Sequence, residues 1–526
     1  MRRDFSRANS RCSAAAYWFN RAFHSGTRTA LWSGVCLATK RQPYMSQRAV
    51  SQVLLRDSVI YSGGIFLARG LNLLLIPLYS RFLSPAEYGA FALLIMILQG
   101  INYLCLLGVN SGATRLYFAA PADEAYRREL FGHATLLLLI IPVGTLLLAV
   151  PMGSLLTESF LDIDFIPFVL LTLLMALFTP IIQLMSSMLT IQRRAGWYGA
   201  FHLGYFLVQA IAIVIALVVL GAGLRGLVIA QLATSAIFGV IALLVLGRYS
   251  RPQFVPGLSS PVLKFGIALL PTFACAWIDA AAGRFGLQAY SGLSTVGFFL
   301  LASQFAGILG LMATSVENAL LPHFLKEASG RDAGANLGIL VTRFLGLFVL
   351  LAIGLMLFAP SMIVVISAPP YHSAAHYVAP LSLAAFVYVA RMPISWSLTH
   401  SNRPGTLSVI NIAASISLVV LLVILLGDWQ LGIPGVAYAT IAVNLLALAA
   451  GGFIAQRSLR LELPLLRLAA MGVLLLTCWA LAPGNPNTAL EPKVLAGNAL
   501  VLLVASGIIL WLLGLTSPRQ LLSSKR

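Results

Sequence analysis

Charge is scarce in this sequence. Of its 526 residues, 10% are Asp, Glu, Lys or Arg and 59% are hydrophobic, with a mean hydropathy of +0.92. Soluble domains carry about 25% charged residues. A chain this long with so few charges cannot cover a water-facing surface, so a soluble globular fold is excluded. Cysteine is sparse too. Cys12, Cys36, Cys105, Cys275 and Cys478 show neither metal-ligand nor redox spacing. There is no Gly-x-x-x-x-Gly-Lys-Ser/Thr phosphate loop, which excludes that route to ATP hydrolysis. Alternating segments of about ten residues are missing, which excludes a transmembrane β-barrel. No catalytic constellation stands out. His372 and His376 have the i, i+4 spacing of zinc ligands, but no Glu accompanies them. No metal and no cofactor is expected.

What is present is apolar sequence in long runs. A bilayer core about 30 Å thick needs roughly 20 apolar residues per helical span. Lipid offers no partner to an open backbone, so the spans are helices. The runs predict an all-α polytopic bundle of about fourteen spans. They are 58–79, 89–112, 133–152, 165–190, 199–220, 225–247, 262–282, 294–315, 337–358, 375–398, 406–427, 432–455, 464–482 and 494–515.

The formal net charge of +18 would suggest nucleic acid in a soluble protein. Here its placement explains it, and no nucleic-acid partner is expected. With the N-terminus inside, basic clusters such as Arg127-Arg128, Arg193-Arg194 and Arg248/Arg251 fall in cytoplasmic loops. The opposite loops hold Arg81, Arg225, Arg284 and Lys493. This asymmetry is the positive-inside pattern, and it places both termini in the cytoplasm. Residues 1–50 read as a basic, disordered extension. Residues 1–44 resemble a mitochondrial transit peptide in composition, but they fit better as a dispensable extension before a start at Met45.

An internal repeat is legible. Tyr88-Gly89-Ala90-Phe91 opens the second span, and Val296-Gly297-Phe298-Phe299 opens the eighth, 208 residues later. Arg225-Gly226-Leu227-Val228 opens the sixth, and Pro434-Gly435-Val436-Ala437 opens the twelfth, 209 residues later. The expected organisation is a six-helix half over 51–250, a second over 251–460, and two further helices with a cytoplasmic tail over 461–526. An even span count per half makes the repeats parallel, about an axis along the membrane normal.

Ser80-Arg81-Phe82-Leu83-Ser84-Pro85-Ala86-Glu87-Tyr88-Gly89 is the most specific string in the chain. It resembles the loop between the first two helices of the polysaccharide-transporter branch of the multidrug/oligosaccharidyl-lipid/polysaccharide (MOP) exporter superfamily, which includes the O-antigen-type flippases. Arg69 before Leu71-Asn72-Leu73-Leu74 is similar to that family's first helix. Leu263-Lys264-Phe265-Gly266 with Leu270-Pro271 is similar to its seventh-helix entry, and Gly432-Ile433-Pro434-Gly435 to its twelfth. The resemblance runs from about residue 50 to 515. It implies a MATE-like fold of two pseudo-symmetric six-helix halves plus two C-terminal helices. It also implies transport without catalysis: translocation of a polyprenyl-diphosphate-linked oligosaccharide across a bacterial inner membrane by alternating access. The implied partners are that lipid-linked substrate, membrane lipids, and polysaccharide polymerase and chain-length proteins.

Alternatives stay open. A peptidoglycan-precursor flippase would have the same span count and a cationic cavity. A cation-coupled drug antiporter of the superfamily would be favoured by an acid in the first helix, whose only charged residue is Arg69. A membrane glycosyltransferase or polymerase usually needs a sizeable outer loop bearing catalytic residues. The longest predicted outer connection, 359–374, carries no Asp, Glu, Lys or Arg.

Charges inside spans are costly and usually face a cavity or a partner. Arg69 and Arg391, with Arg284 beyond the seventh span, are the candidate substrate-binding residues, because guanidinium groups pair bidentately with phosphate oxygens. Asp279 is the candidate coupling or gating residue. Asn72, Gln99, Asn102, Gln183, Gln209, Gln304, Asn411 and Asn444 are softer polar positions, read as interhelical hydrogen bonds or a lining for the sugar path.

Two outcomes follow for the topology. In a background without native cysteines, an impermeant thiol reagent should label Ser154→Cys from outside and leave Arg193→Cys protected; the reverse pattern overturns the orientation. Deleting residues 1–44 should leave membrane insertion intact, whereas loss of targeting would mark them as a targeting sequence.

Overall fold

The computed structural model describes residues 74–119, 123–328, 330, 333–401, 403–459, 461–482 and 488–514. The N-terminal extension, the first predicted span as far as residue 73 with Arg69, and the tail after residue 514 lie outside the described residues. Every regular element among the described residues is helical. In chain order they are α1 (Ile76–Phe82), α2 (Pro85–Leu106), α3 (Val109–Ala119), α4 (Glu124–Phe160), α5 (Leu170–Met175), α6 (Thr179–Ile191), α7 (Ala195–Val214), α8 (Gly223–Tyr249) and α9 (Ser259–Ser291). There follow α10 (Leu293–Glu327), α11 (Ala333–Ile366), α12 (Val378–Ala390), α13 (Met392–His400), α14 (Pro404–Leu422), α15 (Gly432–Ser458), α16 (Leu465–Leu481) and α17 (Pro492–Leu512). Twelve helical stretches are long and apolar enough to cross a membrane, and Leu465–Leu481 is a shorter apolar helix. These map one to one onto the second to fourteenth predicted spans.

Local chemistry sets the boundaries. The Ser-Pro-Ala-Glu string is a capping box: Ser84 N donates to Glu87 Oε2 at 2.8 Å and Glu87 N donates to Ser84 Oγ at 3.2 Å. Pro85 takes the first helical position, where its missing N–H costs nothing. The second span therefore starts at Pro85, ahead of the predicted 89, and stops at Leu106 rather than 112. Leu107 (φ 41°) and Gly108 (φ 67°) are left-handed, and Gly108 lies directly against Gly266, where a Cβ has no room. The tenth span also differs from a continuous helix. It opens with a 3₁₀ segment, Pro369–Tyr377, and breaks at Arg391 between α12 and α13. Pro393, two residues on, cannot donate the next helical hydrogen bond. The fourth span breaks in the same way at Ala176–Phe178, two residues before Pro180.

The repeat seen in the sequence recurs in the backbone. After α7, Leu220 N donates to Ile215 O at 3.0 Å and Ala222 N to Ala216 O at 3.0 Å. After α14, Trp429 N donates to Ile424 O at 3.1 Å and Leu431 N to Leu425 O at 3.0 Å. Each partner in the second set lies 209 residues beyond its counterpart in the first. The left-handed residues follow the same offset, Gly221 with Gln430 and Gly223 with Gly432. Both helices end in a wide turn (Ile215–Val219 and Val423–Asp428) and reverse into the next span over one shared backbone path.

The first repeat pair makes the tightest seam in the bundle, where α2 packs against α10. A methyl on Gly89 would overlap the Leu293 carbonyl, and a methyl on Gly297 would overlap the Pro85 carbonyl. The contact is reciprocal, as a two-fold relation between α2 and α10 requires. Toward the other end of α2, Trp277 Nε1 of α9 donates to Met96 O at 2.8 Å, and the Tyr103 and Phe273 rings stack at 5.4 Å. Beyond them, Gly112 of α3 meets the Val262 carbonyl of α9. The last two helices dock on α11. Asn498 Nδ2 of α17 donates to Leu357 O at 2.8 Å, and Ser361 Oγ donates to Ala489 O at 2.7 Å.

Overpacking a filled seam costs about 1–3 kcal/mol. Gly89→Val and Gly297→Val should therefore each lower the midpoint of thermal unfolding in detergent. In Gly144→Ala the added methyl meets nothing within 4 Å. Helix propensity should leave that midpoint unchanged or raise it, by about 0.5–1 kcal/mol of stability. Equal midpoints for all three variants would contradict the tight seam.

Candidate functional site

Helices α9, α10, α12, α14 and α15, with the start of α13, enclose two adjoining chambers of about 400 and 440 Å³. On α9, Thr272, Ala276, Asp279 and Gly283 recur at three- and four-residue spacing and share one face. Most of them are small, so their side chains leave space between the helices. The first chamber is walled mainly by Ala, Gly, Leu and Val. The second is more polar, with Thr272, Glu317, Ser395, Ser408 and Asn411 in its wall. Ala276, Asp279, Tyr388 and Arg391 line both and mark their boundary.

Arg391 sits at the break between α12 and α13, and its guanidinium is held by neutral groups. Nη1 donates to Asn444 Oδ1 at 2.6 Å and Nη2 to Asn411 Oδ1 at 2.8 Å. Asn444 is itself oriented by its Nδ2, which donates to Thr440 O at 2.7 Å. Asp279 is also held by a neutral group: Ser415 Oγ donates to its Oδ1 at 2.7 Å. Asp279 and Arg391 both line the boundary of the two chambers. They form no contact within 4.0 Å; the ion pair formed among the described residues is Arg128–Glu124, at 3.6 Å. A helix-to-helix ion pair therefore does not account for Arg391. Its guanidinium is oriented by two amides and lines both chambers.

Of the four predicted site residues, the structure brings Asp279 and Arg391 together. Arg69 lies outside the described residues. Arg284 lines neither chamber and faces the seam with α2 and α10. Its Nη1 donates to Ala280 O at 2.5 Å and rests 3.1 Å from Met96 Sδ, and its guanidinium carbon is 5.9 Å from the Phe299 ring centre. Its Nε is buried with no hydrogen-bond partner. Among the softer polar positions, Asn411 and Asn444 prove to be the cradle of Arg391. Asn102 instead accepts from Thr179 Oγ1 at 2.5 Å, in the first half of the chain.

Glu317 and Tyr388 escaped the sequence reading. The apolar run predicts an eighth span that ends at residue 315, yet α10 runs on to Glu327, which carries Glu317 into the polar chamber. There Trp396 Nε1 donates to Glu317 Oε1 at 2.7 Å. The unbroken helical pattern through Ala319-Leu320-Leu321 was the available signal. Tyr388 lies three residues before Arg391, one turn along α12, and no sequence feature distinguishes it from a core aromatic.

Comparison with known proteins agrees with this architecture. No curated protein matches the sequence significantly. A solved structure of the lipid II flippase MurJ, in an inward closed conformation, superposes with a TM-score of 0.69 at 16% identity, covering 86% of this chain and 99% of that one. A multidrug resistance MATE transporter of the MOP superfamily, inward-facing, gives 0.58 at 14% identity over 79% and 96%. An outward-facing MATE structure gives 0.51 at 15% identity over 80% and 96%. At such identities the likeness is one of fold. The family described as polysaccharide biosynthesis protein matches residues 54–327, more than half of the chain. This multi-pass membrane protein, built on the transporter fold of MurJ and the MATE exporters, therefore belongs to the polysaccharide biosynthesis protein family.

Proposed function

We propose that the chain is a flippase that moves a polyprenyl-diphosphate-linked oligosaccharide across a bacterial inner membrane by alternating access, with both termini in the cytoplasm. The observation that carries this reading is Arg391, a guanidinium held in an intramembrane chamber by two neutral amides. A carboxylate partner would cancel its charge. Amide oxygens fix its direction and leave the charge available to an anion. The lipid tail stays in the bilayer while the sugar-diphosphate head crosses between the halves.

The second chamber alone cannot hold a diphosphate, since it sets one guanidinium against Asp279 and Glu317. Further positive charge has to come from elsewhere in the cavity. Arg284, buried without an anion at the seam of α2, α9 and α10 and outside both chambers, is one candidate. Arg69 is the candidate from the first span. Separation of α2 from α10 would uncover Arg284. A second reading, a peptidoglycan-precursor flippase, is favoured by the likeness to a lipid II flippase. The two readings differ in head group and share the role of Arg391.

In proteoliposomes, translocation of lipid-linked sugar should fall in the order wild type, Arg391→Lys, Arg391→Gln. Lys keeps the charge and loses the fork; Gln loses both. Wild-type rates in a well-inserted Arg391→Gln protein would sink the proposal. Asp279→Asn removes an anion from the same chamber, so it should tighten head-group binding and slow turnover. Competition between lipid II and a polysaccharide precursor on the wild type separates the two readings.

A further inference from the structure

The first chamber has no role in the account of Arg391, yet it adjoins that residue and is more than a packing defect. At about 400 Å³ it falls within the range of small-molecule sites, roughly 300–1,000 Å³. Gly307 and Gly310 of α10 face it, and a methyl added at either would meet nothing within 4 Å. Into this space α12 presents Tyr388. The ring is 52% exposed, whereas its neighbours Val387 and Val389 are 7% and 0% exposed. The Tyr388 hydroxyl makes no hydrogen bond to the described residues. The Arg391 guanidinium carbon lies over the ring, 6.0 Å from its centre, at the outer limit of a cation–π contact.

We propose that this chamber seats the first sugar ring of the head group, stacked on Tyr388, while the diphosphate lies against Arg391 in the neighbouring chamber. The inference rests on the flippase reading and names the residue that reads the sugar. A pyranose has faces of C–H groups and a rim of hydroxyls. The C–H face suits the negative face of an aromatic ring. The rim needs polar partners at the edge of an otherwise apolar space. Asp279 supplies one here, and the side-chain oxygens of Ser303 and Thr440, which donate to Leu300 O and Val436 O at 2.8 Å, can still accept. An acyl chain would use none of these groups. The spacing also fits the chemistry. In a sugar diphosphate the first ring is bonded directly to the phosphate, and Tyr388 and Arg391 are one helical turn apart.

The test compares binding of two probes to purified protein in detergent: undecaprenyl diphosphate, and undecaprenyl diphosphate bearing one N-acetylglucosamine. The wild type should prefer the sugar-bearing probe about tenfold. Tyr388→Leu should lose that preference and keep its affinity for the bare diphosphate, and Tyr388→Phe should retain the preference. Gly310→Leu, which fills the chamber, should lose the preference, and Gly310→Ala should keep it. Arg391→Gln should weaken binding of both probes. Unequal effects on the two probes report the site even if a variant is partly unfolded, because misfolding lowers both. If Tyr388→Leu keeps the wild-type preference, or lowers both affinities equally, the sugar seat is overturned while the phosphate role of Arg391 stands. If the wild type does not distinguish the probes, the sugar seat also fails. If the wild type binds neither probe, the flippase reading fails and this inference with it.

Discussion

A bilayer gives a buried charge nothing to bond to, and the second half of this protein is organised around that constraint. An arginine near the middle of a span costs about 2.5–3.5 kcal/mol on insertion scales. The usual remedy is an acid on a neighbouring helix, and Asp279 is on hand. The fold instead holds Arg391 with the side-chain oxygens of Asn411 and Asn444, and holds Asp279 with Ser415. Keeping both charges apart preserves two polar groups facing one space. That space exists because α9 and α10 turn small residues toward it, so the same helices that position the charges leave room for a ligand.

The architecture that could open this space is also visible. The seam between α2 and α10 is made by backbone approaching backbone at Gly89 and Gly297. Such contacts gain dispersion energy at close range. Among the described residues, polar contacts between the halves include Trp277 Nε1 with the Met96 carbonyl and the Tyr371 hydroxyl with the Leu83 carbonyl. The last two helices follow a different rule. They dock on α11 through buried Asn498 and Ser361, which donate to backbone carbonyls.

Much of the fold was legible because lipid imposes a simple code. Apolar runs located the spans, and the glycine motifs at offsets of 208 and 209 located the repeat that the backbone hydrogen bonds after α7 and α14 reproduce. The start of α2 was legible in Ser84, Pro85 and Glu87, whose capping chemistry is local. Asp279 and Arg391 were found because a charge in an apolar run is conspicuous. Their partners were not, because Asn411, Asn444 and Ser415 acquire their roles only when α14 and α15 pack beside α9 and α12. Glu317 lies beyond the apolar run that marks the eighth span, and Tyr388 looks in sequence like any core aromatic. Arg284 was grouped with Arg391 on charge alone; the helical turn that carries it faces α2 and α10, away from both chambers.

The most direct test of the central claim is an experimental structure of the protein with a polyprenyl diphosphate bound. A phosphate oxygen should lie within hydrogen-bonding distance of the Arg391 guanidinium, with Asn411 or Asn444 still holding its other edge. An Arg391 side chain turned onto Asp279 in a direct ion pair, with the phosphates bound elsewhere, would contradict its role as an anion receptor.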